Sequence, residues 1–100
     1  MRVCESKMLS AIAEKSDRKC GDNTEVTYYD GVCDVFLFGN NIATVGDGFV
    51  SVRDCNWRTS TTKSRLNAIL RKYSLPTIHQ KDHVWYVGDE VWRGFLTVSF

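Results

Sequence analysis

Asn56-Trp57-Arg58-Thr59-Ser60-Thr61-Thr62-Lys63-Ser64-Arg65-Leu66-Asn67-Ala68-Ile69-Leu70-Arg71-Lys72-Tyr73 reads as a loop, a helix start and a short basic amphipathic helix. Leu66, Ile69, Leu70 and Tyr73 stand at helical spacing, and Thr62 extends the row one turn back. Thr59, Ser60 and Thr61 are N-cap candidates, because a hydroxyl oxygen accepts one of the first turn's unpaired N–H groups. Arg71 and Lys72 suit the negative pole at the helix C-terminus. Leu75-Pro76 then stops the helix, since a residue before proline is driven out of the α region. The wheel sets Arg65, Arg71 and Lys72 against the Leu/Ile stripe. The expectation is a helix that buries one face and offers cations on the other.

Working outward, the rest of the chain reads as strands and turns. Thr24 to Tyr29 is rich in β-formers and runs into Asp30-Gly31, a type I′ hairpin signal. Val32 to Phe38 is its partner, and the apolar run Val35-Phe36-Leu37-Phe38 places it near the sheet centre. Gly39-Asn40-Asn41 predicts a turn, Ile42 to Val45 a strand, Gly46-Asp47-Gly48 a turn and Phe49 to Val52 another strand. Beyond Pro76, Thr77 to Lys81 and Val84 to Val87 read as strands around Asp82-His83. Val91 to Phe100 ends in β-formers, with Gly94 a candidate bulge. At the other end, Cys4 to about Lys19 predicts a first helix closed by Gly21. The expected fold is a single α+β domain over residues 1–100: an antiparallel or mixed sheet of about five to seven strands with both helices on one face.

Composition narrows the function classes. A hydrophobic content of 43% with one proline supports a packed core rather than disorder. The longest fully apolar run is four residues, Val35 to Phe38, so no segment spans a membrane, and no leader is apparent at the N-terminus. Cys4, Cys20, Cys33 and Cys55 contain no CxxC and are expected as reduced thiols. Net charge is only +1, but Cys55 to Lys81 holds six cations and no carboxylate, while Cys20 to Asp54 holds six carboxylates against Arg53. Such asymmetry bears on partners rather than on fold.

No nucleophile elbow, Walker loop, HExxH or close carboxylate pair occurs, so the expectation is a non-enzymatic protein with no metal and no cofactor. A small metal-dependent nuclease built from Asp30, Asp34, Asp47 and Asp54 is the residual enzymatic reading, although Asp at turns mainly bonds local backbone. His79 and His83 flank a turn with Lys81 between them, which disfavours a shared metal. The candidate binding surface is Trp57, Arg58, Lys63, Arg65, Arg71, Lys72 and Lys81. Its cations suit phosphate or an acidic protein. Tyr73 and His79 could join Arg58, Lys63 and Lys81 in a cation-and-aromatic surface for single strands. Trp57 more simply packs on the helix's first turn as a hydrophobic staple, and Trp85 and Trp92 sit in predicted strands as core or half-buried residues.

The stretch Trp57-Arg58-Thr59-Ser60-Thr61-Thr62-Lys63-Ser64-Arg65-Leu66-Asn67-Ala68 resembles a family of short, functionally uncharacterised tailed-bacteriophage proteins with the pattern W-x-T-x-T-T-K-x-R-L-N-A. Leu9-Ser10-Ala11-Ile12, Asn23-Thr24-Glu25-Val26, Leu37 to Ala43, Gln80-Lys81 and Trp85-Tyr86 extend the likeness over about residues 7 to 87. Phe38 stands where that pattern has His, and Asn56 where it has Gly. The resemblance implies a phage origin, action in the host bacterial cytoplasm and an accessory or host-takeover role. The leading expectation is therefore binding of a host protein or defence complex, as an inhibitor or as a nucleic-acid mimic using the acidic hairpins of residues 20–54. The alternative is a nucleic-acid-binding module using the helix at residues 59–73. A C-terminal edge strand could also pair with a second copy as a homodimer.

Overall fold

A computed structural model describes residues 3–100. Helix α1 (Val3–Glu14) is followed by strands β1 (Arg18–Cys20), β2 (Thr24–Tyr29), β3 (Val32–Leu37), β4 (Asn40–Gly46) and β5 (Phe49–Arg53). Helix α2 (Ser60–Lys72) comes next, then β6 (Ile78–Lys81), β7 (Val84–Val87), β8 (Glu90–Val91) and β9 (Phe95–Ser99). The fold class is the expected α+β, with all pairings antiparallel. It is built from two sheets rather than one. Six strands run in the order β1-β2-β3-β4-β5-β9, and β6-β7-β8 form a separate sheet.

Hairpins make the large sheet. Asp30 and Gly31 both take positive φ, 51° and 86°, the I′ geometry that matches strand twist. The next hairpin turns on Phe38 (φ 50°) and Gly39 (φ 79°), not on Gly39 to Asn41 as expected, so Asn40 already belongs to β4. Strand alternation then sends Cys33, Val35 and Leu37 inward, with Ala43, Val45, Val50 and Val52 beside them. A register shift at Val35/Phe36 lets Ile42 bury as well.

Both helices cover that inner face, and the small sheet packs against α2 through β6. Helix α1 lies against β1 and β2 and buries Met8, Ala11 and Ile12. It stops at Glu14, well short of Lys19. Lys15 takes φ 55°, and Ser16 N–H and Lys15 N–H bond back to Ala11 O and Ile12 O, a Schellman closure. The released residues form β1, and Gly21, expected as the helix stop, turns β1 into β2. Residues 91–100 also divide, into β8 and β9, with Gly94 (φ 100°) in the break rather than in a bulged strand.

Helix α2 is the strut between the layers. Thr59 caps it, its hydroxyl oxygen accepting from Thr62 N–H at 3.1 Å. Ser74 (φ 57°) closes it, with Leu75 N–H returning to Leu70 O at 2.9 Å. Leu66, Ile69 and Leu70 are fully buried as the stripe required. The flanks are buried too, because α1 covers one side and β6 the other. Asn67 fixes the β6 side: its amide nitrogen donates to Ile78 O at 2.8 Å and its oxygen accepts Ile78 N–H at 2.6 Å. A side chain thus satisfies the backbone groups of Ile78 on the edge of β6 that faces away from β7.

Candidate interaction site

The seven expected binding residues do not share a surface. Arg65 is buried, 4% exposed, and its Nη1 donates to Glu5 at 2.7 Å, a carboxylate that is also 4% exposed. Its other donors go to Thr24 Oγ1 at 3.1 Å and Asn23 Oδ1 at 3.4 Å, and Ser64 donates to the same Glu5 oxygen at 2.5 Å. Arg65 therefore joins α2 to α1 and β2 and leaves the recognition surface. The wheel misplaced it because it stands about 100° from Leu66, on the stripe's flank, and α1 occupies that flank. Arg71 and Lys72 are exposed at the far end of the helix. Lys81 points to the face of the small sheet opposite Gln80 and Trp85, the two residues that face Lys63. Tyr73 stacks on Phe100 and His79 on Tyr86, so the cation-and-aromatic surface drawn through them does not assemble.

Trp57, Arg58 and Lys63 do come together, around the loop that enters α2. Asp54, 3% exposed, organises this loop. It accepts from Asn56 N–H at 2.8 Å, Arg58 Nε at 2.9 Å and Trp92 Nε1 at 2.8 Å. Cys55 and Asn56 take φ 54° and 60°, so the chain reverses tightly around the carboxylate. Arg58 then lies over the buried Trp85 ring at 5.9 Å, and Lys63 lies over the same ring at 5.6 Å with Nζ 3.5 Å from Gln80. The reversal turns Trp57 outward. It does not act as a staple; it leans on Phe38, ring centroids 5.2 Å apart and tilted by 42°.

Phe38 is the residue that sequence reading missed. It is 58% exposed, and Trp57 is 41% exposed. Phe38 sits at the first central position of a I′ turn, where Asn or Asp is favoured and a side chain with Cβ is strained by roughly 1–2 kcal/mol. Its N–H is held by Asn23 O at 2.7 Å. Gly39 carried the turn signal, and membership of the apolar run Val35 to Phe38 drew Phe38 into the strand. Beside Phe38 a cleft of about 310 Å³ opens between the β1–β2 and β3–β4 turns, with Lys19, Asp22 and Glu25 on its rim.

The carboxylates of residues 20–54 are scattered. Asp54 is buried, and Asp34 accepts from Thr44 and Asn41 on the open sheet face. Asp22 and Glu25 lie towards one end of the hairpins, Asp30 and Asp47 at the other. The histidines do not converge either, since His79 is on β6 and His83 is in the β6–β7 turn at φ 67°.

All four cysteines are free thiols. Burial, first of all, pushes the Cys20 and Cys33 thiols up, helped by Cys4 and Asp34 respectively. An acid whose folded value is raised supports the fold below its unfolded pKa and withdraws that support as pH climbs. Stability should therefore hold below the ordinary thiol pKa of about 8.5 and fall as pH climbs through it. Urea titrations at graded pH check this; a Cys20→Ala, Cys33→Ala double variant should lose part of the alkaline decline. Exposed Cys55 should react with a thiol reagent in the native protein, and Cys20 and Cys33 only on unfolding.

No helix among the described residues is long and apolar enough to cross a membrane. Comparison with known proteins finds no matching curated protein and no matching solved structure. A family model described as Kyanoviridae Gp96 protein matches residues 1–100, the whole sequence including Trp57 to Ala68. The chain belongs to the Kyanoviridae Gp96 family of phage proteins.

Proposed function

We propose that this phage protein is a non-enzymatic binding module that docks a host protein in the bacterial cytoplasm through the Phe38–Trp57 corner. The observation that carries the reading is two exposed aromatic rings in tilted contact, one of them held in a left-handed turn. Exposing both rings and bending the turn each cost free energy, and strained exposed residues of this kind cluster where ligands are gripped. Aromatic anchors beside Arg dominate protein interfaces because they bury much area with few rotors to freeze. Arg58 follows Trp57 in the chain and lies with Lys63 over Trp85, so both cations sit on the same loop-and-helix start and suit an acidic rim on the partner. Blocking a host enzyme or defence complex is the outcome such docking would serve in a phage accessory protein.

The test is capture from host lysate with nuclease present. One stoichiometric protein partner is expected, bound at least ~30-fold more weakly by Trp57→Ala, the loss of a ~2 kcal/mol anchor. The circular dichroism spectrum should not change. Recovery that nuclease abolishes and that falls steeply with salt would support the second reading, in which Trp57 stacks on a base and Arg58 and Lys63 meet phosphates.

A further inference from the structure

We propose that β9 is a homodimerisation edge, through which two copies join their large sheets into one continuous antiparallel sheet. β9 pairs with β5 on one side and ends the six-strand order on the other. The direction of its free backbone groups follows from two bonds. Phe100 N–H reaches Gly48 O at 2.7 Å, and Asp54 N–H reaches Gly94 O at 3.0 Å. Together with the register Val52↔Leu96 and Val50↔Val98, these make the even-numbered residues of β9 the ones bonded to β5. The N–H and C=O groups of Phe95, Thr97 and Ser99 therefore point away from the sheet.

Those free groups are self-complementary. A two-fold axis at Thr97 sets Phe95 against Ser99 of a second copy, Thr97 against Thr97, and Ser99 against Phe95. Each is a hydrogen-bonded pair exchanging two bonds, so every outward group of the strand is satisfied. The same axis brings Leu96 against Val98 beneath the sheet, where both are half-buried in the single chain. On the open face it pairs two threonines, a favourable cross-strand combination. A peptide of arbitrary sequence would meet the first condition but not the other two, which favours a second copy as the occupant.

Charge separates this edge from the others. Edge strands are usually blunted by charge, proline or shortness. β1 has three residues with Arg18 and Lys19, β6 carries His79 and Lys81, and β8 has two residues including Glu90. β9 has five residues, Phe-Leu-Thr-Val-Ser, with no charge and no proline. Two copies meet there without repulsion. The proposal stands apart from host docking at Phe38–Trp57, and either can fail alone.

Sedimentation in reductant, which keeps Cys55 from cross-linking, tests it. A strand-only interface falls below the ~1,200 Å² of a standard one, so a reversible dimer should appear between about 10 µM and about 1 mM. In that range the amides of Phe95, Thr97 and Ser99 should become protected from exchange as concentration rises, while those of Leu96 and Val98 stay protected throughout. Thr97→Pro removes an outward N–H without breaking a bond to β5, and Thr97→Lys places like charges at the axis. Both should leave a monomer at every concentration. Should Thr97→Pro not fold, Thr97→Lys decides alone. A wild-type monomer at the highest concentration overturns the proposal, as does a dimer whose constant Thr97→Lys does not change.

Discussion

An Arg65→Ala variant should lose about 3–5 kcal/mol of stability, because it leaves the Glu5 carboxylate buried without its counter-ion. Glu5 and Arg65 are each 4% exposed, and 60 residues of chain separate them. Removing the guanidinium also strips Thr24 and Asn23 of a donor and leaves Ser64, among the described residues, as the remaining hydrogen-bond partner of Glu5. Urea denaturation, compared at constant slope, measures the loss. A double Glu5→Leu, Arg65→Met variant should recover most of it, since apolar groups of similar volume often match or exceed a buried ion pair. A loss below ~1 kcal/mol for the single variant would place Arg65 in solvent, as the helical wheel had it.

Leu70→Ala should cost about 2–5 kcal/mol, combining lost transfer energy with the cavity left in a close-packed layer. Leu70 has no exposed surface and belongs to a stripe enclosed by the large sheet, α1 and β6, so no neighbour can fold in cheaply. Leu70→Met keeps the volume and should cost under ~1.5 kcal/mol. Domains of this kind rest on about 5–15 kcal/mol in all, so the Leu70→Ala and Arg65→Ala changes together should leave little or no folded protein. Thermal and urea melts of the three variants decide it.

Local signals carried the elements that local chemistry controls. The α2 stripe, the Asp30-Gly31 turn and the β7 limits were legible because spacing and turn residues specify each of them, and the cap was narrowed to three hydroxyl residues of which Thr59 is the one used. β1 was not, since Arg18-Lys19-Cys20 is short, charged and without alternation, and exists because β2 offers it a partner. The second sheet was equally hidden: nothing local to Ile78 says that Asn67 will complete its backbone pairing.

The site was legible in part for the same reason. Trp57, Arg58 and Lys63 converge because one loop and one helical turn hold them, and Asp54 fixes that loop. Arg65 was misread because its fate depends on Glu5, far away in sequence. Phe38 was missed because its conformation comes from the turn rather than from the apolar run that it ends.

Recognition is proposed at the Phe38–Trp57 corner, and the buried face and Arg65 of α2 hold the fold together. The most direct measurement is parallel capture from host lysate by the wild type, Trp57→Ala and the Arg71→Ala, Lys72→Ala double variant, all shown to be folded. The expected result is that the helix-end variant retains the protein partner and Trp57→Ala loses it. Loss of the partner by the helix-end variant, with Trp57→Ala binding unimpaired, would contradict the account.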